Sequence, residues 1–150
     1  MPSFVFDIAS DGIAKQTIDW DGGVDLRCLL IKGAGTPVKG NATVLDALAE
    51  ASVDECDATD YVRKTFASPT VSTSGNKTLF DADNPVWATL GGASNNTITG
   101  ALIYKGTTNP GDDGTNIPIA YIDTNDLVTN GGQVTLSKDA TNKWFFLDNT

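Results

Sequence analysis

The sequence predicts an all-β fold, a two-layer, jelly-roll-like sandwich of eight to ten strands with one short helix. Short runs of alternating apolar and polar residues recur along the whole chain. Gly, Asn, Asp and Pro separate these runs at the spacing that is typical of sandwich strands. The chain has the length of one ordinary domain, so we expect a single domain over residues 1–150, with an extended N-terminal arm at residues 1–14.

The first clear strand covers residues 24–31. The pattern begins as an alternation that places Val24, Leu26, Cys28 and Leu30 on one face. From Cys28 to Ile31 the residues on both faces are apolar. Such a pattern predicts a central strand that is covered from two sides. The predicted helix follows at residues 43–51, where apolar residues recur at helical spacing, Thr43 is a candidate N-cap and Asp46 stands three residues after it.

The rest of the chain again has the pattern of strands. They are predicted at residues 61–66, 69–73, 77–81, 86–90, 98–105, 117–123, 133–137 and 143–147. We expect a hairpin between 98–105 and 117–123, and a final hairpin between 133–137 and 143–147. The loop at residues 106–116 is long for a connection without structure of its own, so it should be either mobile or used in contacts.

The charge distribution excludes two classes of partner. Ten Lys and Arg stand against 19 Asp and Glu, which gives a net charge of −9. The basic residues are scattered, and the adjacent pair Arg63 and Lys64 would point to opposite faces of a strand. A nucleic-acid surface needs clustered cations, and an anionic membrane would repel this chain. We therefore expect neither a nucleic acid nor a membrane as partner.

The absence of histidine bears on catalysis. It removes Ser-His-Asp and Cys-His nucleophiles, histidine general bases and the usual zinc sites. The Asp residues lie mainly in turn-like segments such as Asp11-Gly12, Asp21-Gly22 and Asp112-Asp113-Gly114, where turn chemistry accounts for them. Residues 81–84 and 112–116 group oxygen ligands that calcium could use, but without the spacing of an EF-hand, so solvated acidic loops are expected. We predict no enzyme activity, no cofactor and no metal.

The two cysteines are far apart in the sequence. Cys28 lies in an apolar strand pattern, where a buried free thiol is expected, and a pair with Cys56 stays open. The first residues have neither a basic region nor a long apolar stretch. We therefore expect a protein that is made in a cytoplasm.

Five aromatic residues are candidates for an interface. The tryptophans Trp20, Trp87 and Trp144 are most often core residues in a sandwich, but on one exposed face they could stack on sugars or anchor a partner. Phe4 and Phe6 could reach a neighbour if the N-terminal arm is extended. These five are the predicted interface residues.

Three segments carry a family resemblance. Residues 84–92, 99–106 and 117–123 resemble small virion proteins of tailed double-stranded-DNA bacteriophages, which share a strand like Ala101–Lys105, a polar loop and a strand like Ile119–Asp123. The N-terminal half is similar in outline only. The chain departs from the common pattern at Asp21-Gly22-Gly23 and at Trp144-Phe145-Phe146.

The resemblance implies a structural role in the virion. Such proteins include head decoration (cement) proteins with a jelly-roll-like fold, which bind outside the shell between major capsid subunits and have no catalytic residues. By this resemblance we expect a decoration protein on the capsid exterior, made in the host cytoplasm, with the major capsid protein as partner and self-association as a dimer or trimer. A neck, tail or fibre component is the alternative, and a carbohydrate-binding module is the second.

Overall fold

A computed structural model describes residues 3–14, 19–20 and 25–148 of the chain. Antiparallel strands dominate it, and the predicted all-β class is confirmed. The strands are β1 (Phe4–Val5), β2 (Leu26–Lys32), β3 (Asp54–Glu55), β4 (Lys64–Thr65), β5 (Thr70–Ser74), β6 (Lys77–Asp81), β7 (Val86–Leu90), β8 (Thr97–Lys105), β9 (Ile117–Val128), β10 (Gly132–Thr135) and β11 (Phe145–Asp148). The helices are α1 (Asp7–Ala14) and α2 (Val44–Leu48), with a 3-10 turn at Pro110–Asp112.

The strands form one large sheet and two small ones. The six-stranded sheet has the order β1-β9-β8-β2-β3, and β4 also pairs with β2. The small sheets have the orders β10-β7 and β11-β6-β5. Buried side chains from all three sheets belong to one hydrophobic core, which is the arrangement of a sandwich.

The centre of the large sheet is β2, as the sequence predicts. It pairs with β8 along one side and with β3 and β4 along the other. Leu29, Leu30 and Ile31 are almost wholly buried, so both faces of the strand are covered. Burial of each such side chain contributes about 1.5–3 kcal/mol to the free energy of folding.

The predicted hairpin of β8 and β9 is confirmed, and β9 runs on to Val128. Gly100 lies in β8 where the ring of Tyr121 crosses the strand. A Cβ at this position would be 2.7 Å from a carbon atom of that ring. Only glycine therefore allows Tyr121 to pack here.

The capping box of α2 is also confirmed. The hydroxyl of Thr43 accepts a hydrogen bond from the Asp46 N–H, and the Asp46 carboxylate accepts one from the Thr43 N–H, both at 3.1 Å. These bonds satisfy two N–H groups that the first turn of a helix leaves open.

The expected N-terminal arm is wrong for residues 3–14, which fold onto the body. Phe4 pairs with Tyr121 of β9, and the Phe6 N–H donates to the carbonyl of Ile119 at 2.9 Å. A second helix, α1, follows at once and packs beside β9. The apolar residues Ile8, Ala9 and Ile13 recur on one side of this helix, and this pattern was the missed signal.

Two predicted strand pairings are corrected. The final hairpin is wrong, because β10 pairs with β7 whereas β11 pairs with β6 in the other small sheet. The turn signals between them are real, since Asp139 and Lys143 form a small local bridge. The strand predicted at residues 61–66 is reduced to Lys64–Thr65, because Tyr61 and Arg63 turn toward Glu55 instead.

Candidate functional site

Four of the five predicted interface residues lie in the core. Phe6 is fully buried, and Trp20, Trp87 and Trp144 are 3, 1 and 4% exposed. The burial of Phe6, Trp20 and Trp87 corrects the expectation that they anchor a partner. Trp144 is also buried, but it belongs to the wall of the cleft that Phe4 lines. Phe4 is partly exposed and is the exception.

Each of the three tryptophans also donates a hydrogen bond to a backbone carbonyl. The Nε1–H groups of Trp20, Trp87 and Trp144 donate to the carbonyls of Asp81, Val62 and Ala82 at 2.7, 2.8 and 3.2 Å. Trp20 packs edge-on against Phe145, with ring centroids 5.2 Å apart. Because a buried indole N–H needs an acceptor, these contacts hold the three rings in defined positions within the core.

Phe4 lines an open cleft of about 550 Å³. The cleft separates the β1 edge of the large sheet from β11, the edge strand of a small sheet. Its walls are formed by Ser3, Phe4, Val5, Ile122 and Asp123 on one side and by residues 137–139 and 142–146 on the other. It is an open side of the sandwich.

A second groove continues this cleft. It runs between residues 122–127 of β9 and residues 134–137, and the two share Ile122, Asp123 and Ser137 in their walls. We call the combined groove the seam. Its floor includes Leu30, Ile98 and Val134, and Leu127 at its rim is 43% exposed.

The seam has the features of a protein-docking surface. Its walls combine apolar side chains with strand edges, because β1 and β11 are each the last strand of their sheet. The hydroxyl of Thr124 in the seam wall is buried and has no partner in the described part of the chain. Such edges accept an extended segment of another polypeptide by strand addition.

The lysines beside the seam are used internally. Lys138 contacts the carboxylate of Asp81 and donates to the carbonyl of Ala82 at 2.7 Å, and Lys143 lies 3.6 Å from the same carboxylate. Burial raises the pKa of Asp81, but the bond from Lys138, the Ala82 N–H and the charges of both lysines outweigh it and hold this pKa below its usual value. The lysines therefore stabilise the fold rather than offer a free positive surface.

A buried ionic cluster lies elsewhere, next to β3. The Arg63 side chain is 3% exposed. Its Nη1 and Nη2 donate to the two Asp113 oxygens at 2.7 and 2.8 Å. Its Nε and Nη2 donate to the two Glu55 oxygens at 2.7 and 2.6 Å. Nη1 also lies 3.5 Å from the hydroxyl of Tyr104.

This cluster has no spare donor for a ligand. A guanidinium has five N–H groups, and all those of Arg63 face acceptors of the chain itself. Burial alone would lower the pKa of Arg63, but the bonds to Asp113 and Glu55 raise it above its ordinary value. The charge is fixed, so the group cannot donate a proton in a reaction.

The tyrosines of the cluster are held in their neutral form. The Tyr61 hydroxyl donates to Glu55 at 2.8 Å and accepts the Leu30 N–H at 3.1 Å. Burial, followed by the nearby Glu55 charge, raises the pKa of Tyr61 far above its usual value. Burial likewise raises the pKa of Tyr104 to about 12. Neither is poised for acid–base chemistry near neutral pH.

The cluster ties down the long loop at residues 106–116. Asn116 donates to Asp113 at 3.1 Å and accepts the Thr107 N–H at 3.0 Å, while the Tyr104 hydroxyl donates to the Thr107 carbonyl at 2.9 Å. The Leu45 N–H of α2 donates to the Asp113 carbonyl at 3.0 Å. The loop is thus used in internal contacts, the second of the two expected outcomes.

The acidic loops have internal uses. Asp113 binds Arg63 and Asp81 binds Lys138, so neither carboxylate is free to hold calcium. No group of three or more His, Cys, Asp or Glu that could hold a metal is found within residues 3–14, 19–20 and 25–148.

Both cysteines are buried free thiols rather than a disulfide. Burial raises the pKa of Cys28 to about 12, and it also raises that of Cys56. Neither thiol is activated as a nucleophile, since nucleophilic attack requires the thiolate.

The basic residues are mostly engaged in pairs. At least six of them face carboxylates; they are Arg27, Lys32, Lys39, Arg63, Lys138 and Lys143. Two more lie over aromatic rings, Lys64 at 5.8 Å from Trp87 and Lys77 at 4.0 Å from Phe146. The surface that remains is acidic. No helix of the described residues has the length and apolar character needed to cross a membrane.

Comparisons of the chain with models of known families, with curated proteins and with solved structures find no match. The seam and the Arg63 cluster are therefore characterised by their own geometry. The sequence did not reveal either of them, because both join residues that are distant in the chain. The alternation at Tyr61 and Arg63 is a local signal near the cluster, but its spacing predicts a strand rather than an ionic site.

Proposed function

We propose that this protein is a structural component of a tailed-phage virion, and specifically a decoration protein that binds the outer surface of the head. The proposal starts from the resemblance at residues 84–92, 99–106 and 117–123. These segments form β7 and large parts of β8 and β9. The similar sequence pattern thus covers strands of two sheets that build the core.

The seam is the observation that carries the proposal. It is an open groove with apolar floor residues and two edge strands, and it fits a segment of another protein better than a small polar substrate. In the proposed complex, an extended segment of the major capsid protein lies along the seam. Partner residues such as Lys or Arg would face Asp126 and Asp139 in its walls.

The chemistry of the remaining polar groups supports a structural role. The Arg63 cluster uses its donors internally and joins β3, β8, the loop at 106–116 and α2 into one unit. A rigid body of this kind transmits load between the proteins it bridges. The proposal includes no catalytic step.

The acidic surface supports an exterior position. With a net charge of −9 and most cations paired, the protein would be repelled by packaged DNA inside the head. On the outside, many weak contacts around the shell add up through avidity.

The test is binding to heads from which the decoration layer has been removed. Purified protein should saturate the shell at a fixed stoichiometry and raise the temperature at which the heads rupture. Leu127→Asp, in the seam rim, should weaken binding at least tenfold. Val38→Asp adds the same charge at another exposed aliphatic residue, 52% exposed, and should bind like the unmodified protein. Heads that bind no protein, or equal binding by both variants, would contradict the proposal.

The carbohydrate-binding alternative has no structural support. All twelve aromatic side chains lie in the described part of the chain, and none of them is exposed enough to offer a stacking platform. No observation favours a neck, tail or fibre position over the head, and the location of the protein in the virion distinguishes them.

A further inference from the structure

An unprotected strand edge lies on the opposite margin of the small sheet from the seam. β5 is the last strand of the order β11-β6-β5, and among the described strands it pairs only with β6, in a continuous register from Thr70–Asp81 to Ser74–Lys77. All five of its residues are exposed. Because successive side chains point to opposite faces, both faces of this strand are open to solvent.

This edge lacks the usual protection against pairing. Natural proteins place charges, prolines or bulges on exposed edges, or cover them. The strand Thr70-Val71-Ser72-Thr73-Ser74 has no charged residue, and its only nearby proline is Pro69, before its start. By contrast, β1, β3 and β4 have two residues each, and β3 consists of Asp54 and Glu55.

The turn at the end of β5 determines which backbone groups face outward. Gly75 and Asn76 form a two-residue turn, and Gly75 has φ +58°, as the first position of a type II′ turn requires. The closing pair Ser74–Lys77 of such a turn is hydrogen-bonded. Since bonded and non-bonded pairs alternate, Thr70, Ser72 and Ser74 bond to β6, and Val71 and Thr73 direct their N–H and C=O groups to solvent.

We propose that the partner of this edge is the β5 strand of a second copy of the chain. The charge distribution favours this occupant: the chain carries −9, but residues 61–80 contain no Asp or Glu. Asp81, which lies opposite Thr70 in β6, is paired with Lys138. Two copies can therefore meet here without placing free carboxylates against each other, whereas they could not do so at β3 or at the Asp123–Asp126 end of β9.

The geometry fixes the register of the pair. An antiparallel arrangement about a two-fold axis at Ser72 sets Val71 of one copy opposite Thr73 of the other, and this pair forms the hydrogen bonds on both sides of the axis. The two Ser72 residues then face each other as a non-bonded pair, with Cα atoms about 4.5 Å apart. The result is a continuous six-stranded sheet, β11-β6-β5-β5-β6-β11.

The contact is small, so the dimer is weak in dilute solution. Five residues from each copy are far fewer than the roughly 20–30 on each side of a standard stable interface. Copies that are held close together by another partner would pair far more readily, because their effective concentration is high. The inference itself does not depend on the proposed function.

Cysteine cross-linking tests the register. Ser72→Cys, oxidised with copper phenanthroline in air, should form disulfide-linked dimers whose yield rises with protein concentration. The native Cys28 and Cys56 are buried and should not interfere. Val38→Cys is the control, since Val38 is 52% exposed and lies outside the described strands, and it should cross-link at least tenfold more slowly. Equal rates for the two variants would overturn the proposal.

A second substitution tests the backbone bonds. Thr73→Pro removes an N–H that faces solvent in the monomer, so it should leave the melting temperature nearly unchanged. Combined with Ser72→Cys, it should abolish the rapid cross-linking, and unchanged cross-linking would contradict the proposed pairing. If Thr73→Pro instead lowers the melting temperature, sedimentation at millimolar concentration decides. At that concentration the unmodified chain should form a dimer, and the Ser72→Lys variant should not. If the unmodified chain is monomeric at every concentration tested, the inference is overturned.

Discussion

Arg63 and Asp113 are 50 residues apart in the sequence and are joined by two parallel hydrogen bonds, with Glu55 held on the same guanidinium by two more. A paired fork of this kind fixes orientation as well as distance. The loop at residues 106–116 owes its defined position to this cluster and to Asn116.

Removal of Arg63 should therefore destabilise the whole domain. Arg63→Ala leaves Glu55 and Asp113 near each other without a cation, and we expect a loss of about 3–5 kcal/mol in the free energy of unfolding. Chemical denaturation measures it. Lys39→Ala is the control, because Lys39 and Asp7 form an exposed pair and its loss should cost about 0–1 kcal/mol. Similar losses in the free energy of unfolding for the two variants would show that the Arg63 cluster does not hold the domain together.

Tryptophan fluorescence should show that the indole rings are shielded from water. Because Trp20, Trp87 and Trp144 are almost wholly buried, fluorescence emission should be blue-shifted in the native protein and shift to longer wavelength on unfolding. Acrylamide should quench the native protein several-fold less than the unfolded chain. Strong native quenching would mean that a tryptophan is exposed and free to contact a partner, and it would contradict the buried positions.

The thiols should be inert until the chain unfolds. Burial raises the pKa of Cys28 to about 12 and also raises that of Cys56, so the thiolate is scarce at neutral pH. Ellman's reagent should label neither cysteine within hours in the native state and both of them within minutes in denaturant. Fewer than two free thiols in the denatured, unreduced protein would reveal a disulfide and contradict the structure.

The pair of Asp81 with Lys138 predicts a stability change in acid. The pKa of Asp81 is lower in the folded protein than in the unfolded chain, so its contribution is complete above about pH 4 and is lost as the pH falls through the folded pKa. Asp81→Asn should lower the melting temperature by several degrees at pH 7. The difference between variant and unmodified protein should shrink toward pH 2, and a constant difference would contradict this account.

Local signals predicted the parts of the fold that depend on neighbouring residues. The apolar run of β2, the Thr43–Asp46 capping box and the hairpin of β8 and β9 were all evident from spacing in the sequence. The pairing of β11 with β6 was not, because Phe145 and Phe80 meet only after the chain has crossed between sheets.

The seam and the β5 edge differ in how far the sequence alone reveals them. The seam forms where β1, β9, residues 134–139 and β11 come together, and no single segment of the sequence has a pattern that marks it. The uncharged strand Thr70–Ser74 is visible in the sequence, but only the sheet order shows that it is an edge. Tryptophan content misled the prediction, because large aromatic side chains supply core area as readily as interface area.

We propose that many copies of this protein cover the head of a virion. Quantitative mass spectrometry of purified particles, with the major capsid protein as internal standard, tests it most directly. We expect hundreds of copies per particle, in a fixed ratio to the capsid protein. A handful of copies would assign the protein to the neck or tail, and its absence from the particles would contradict a virion role altogether.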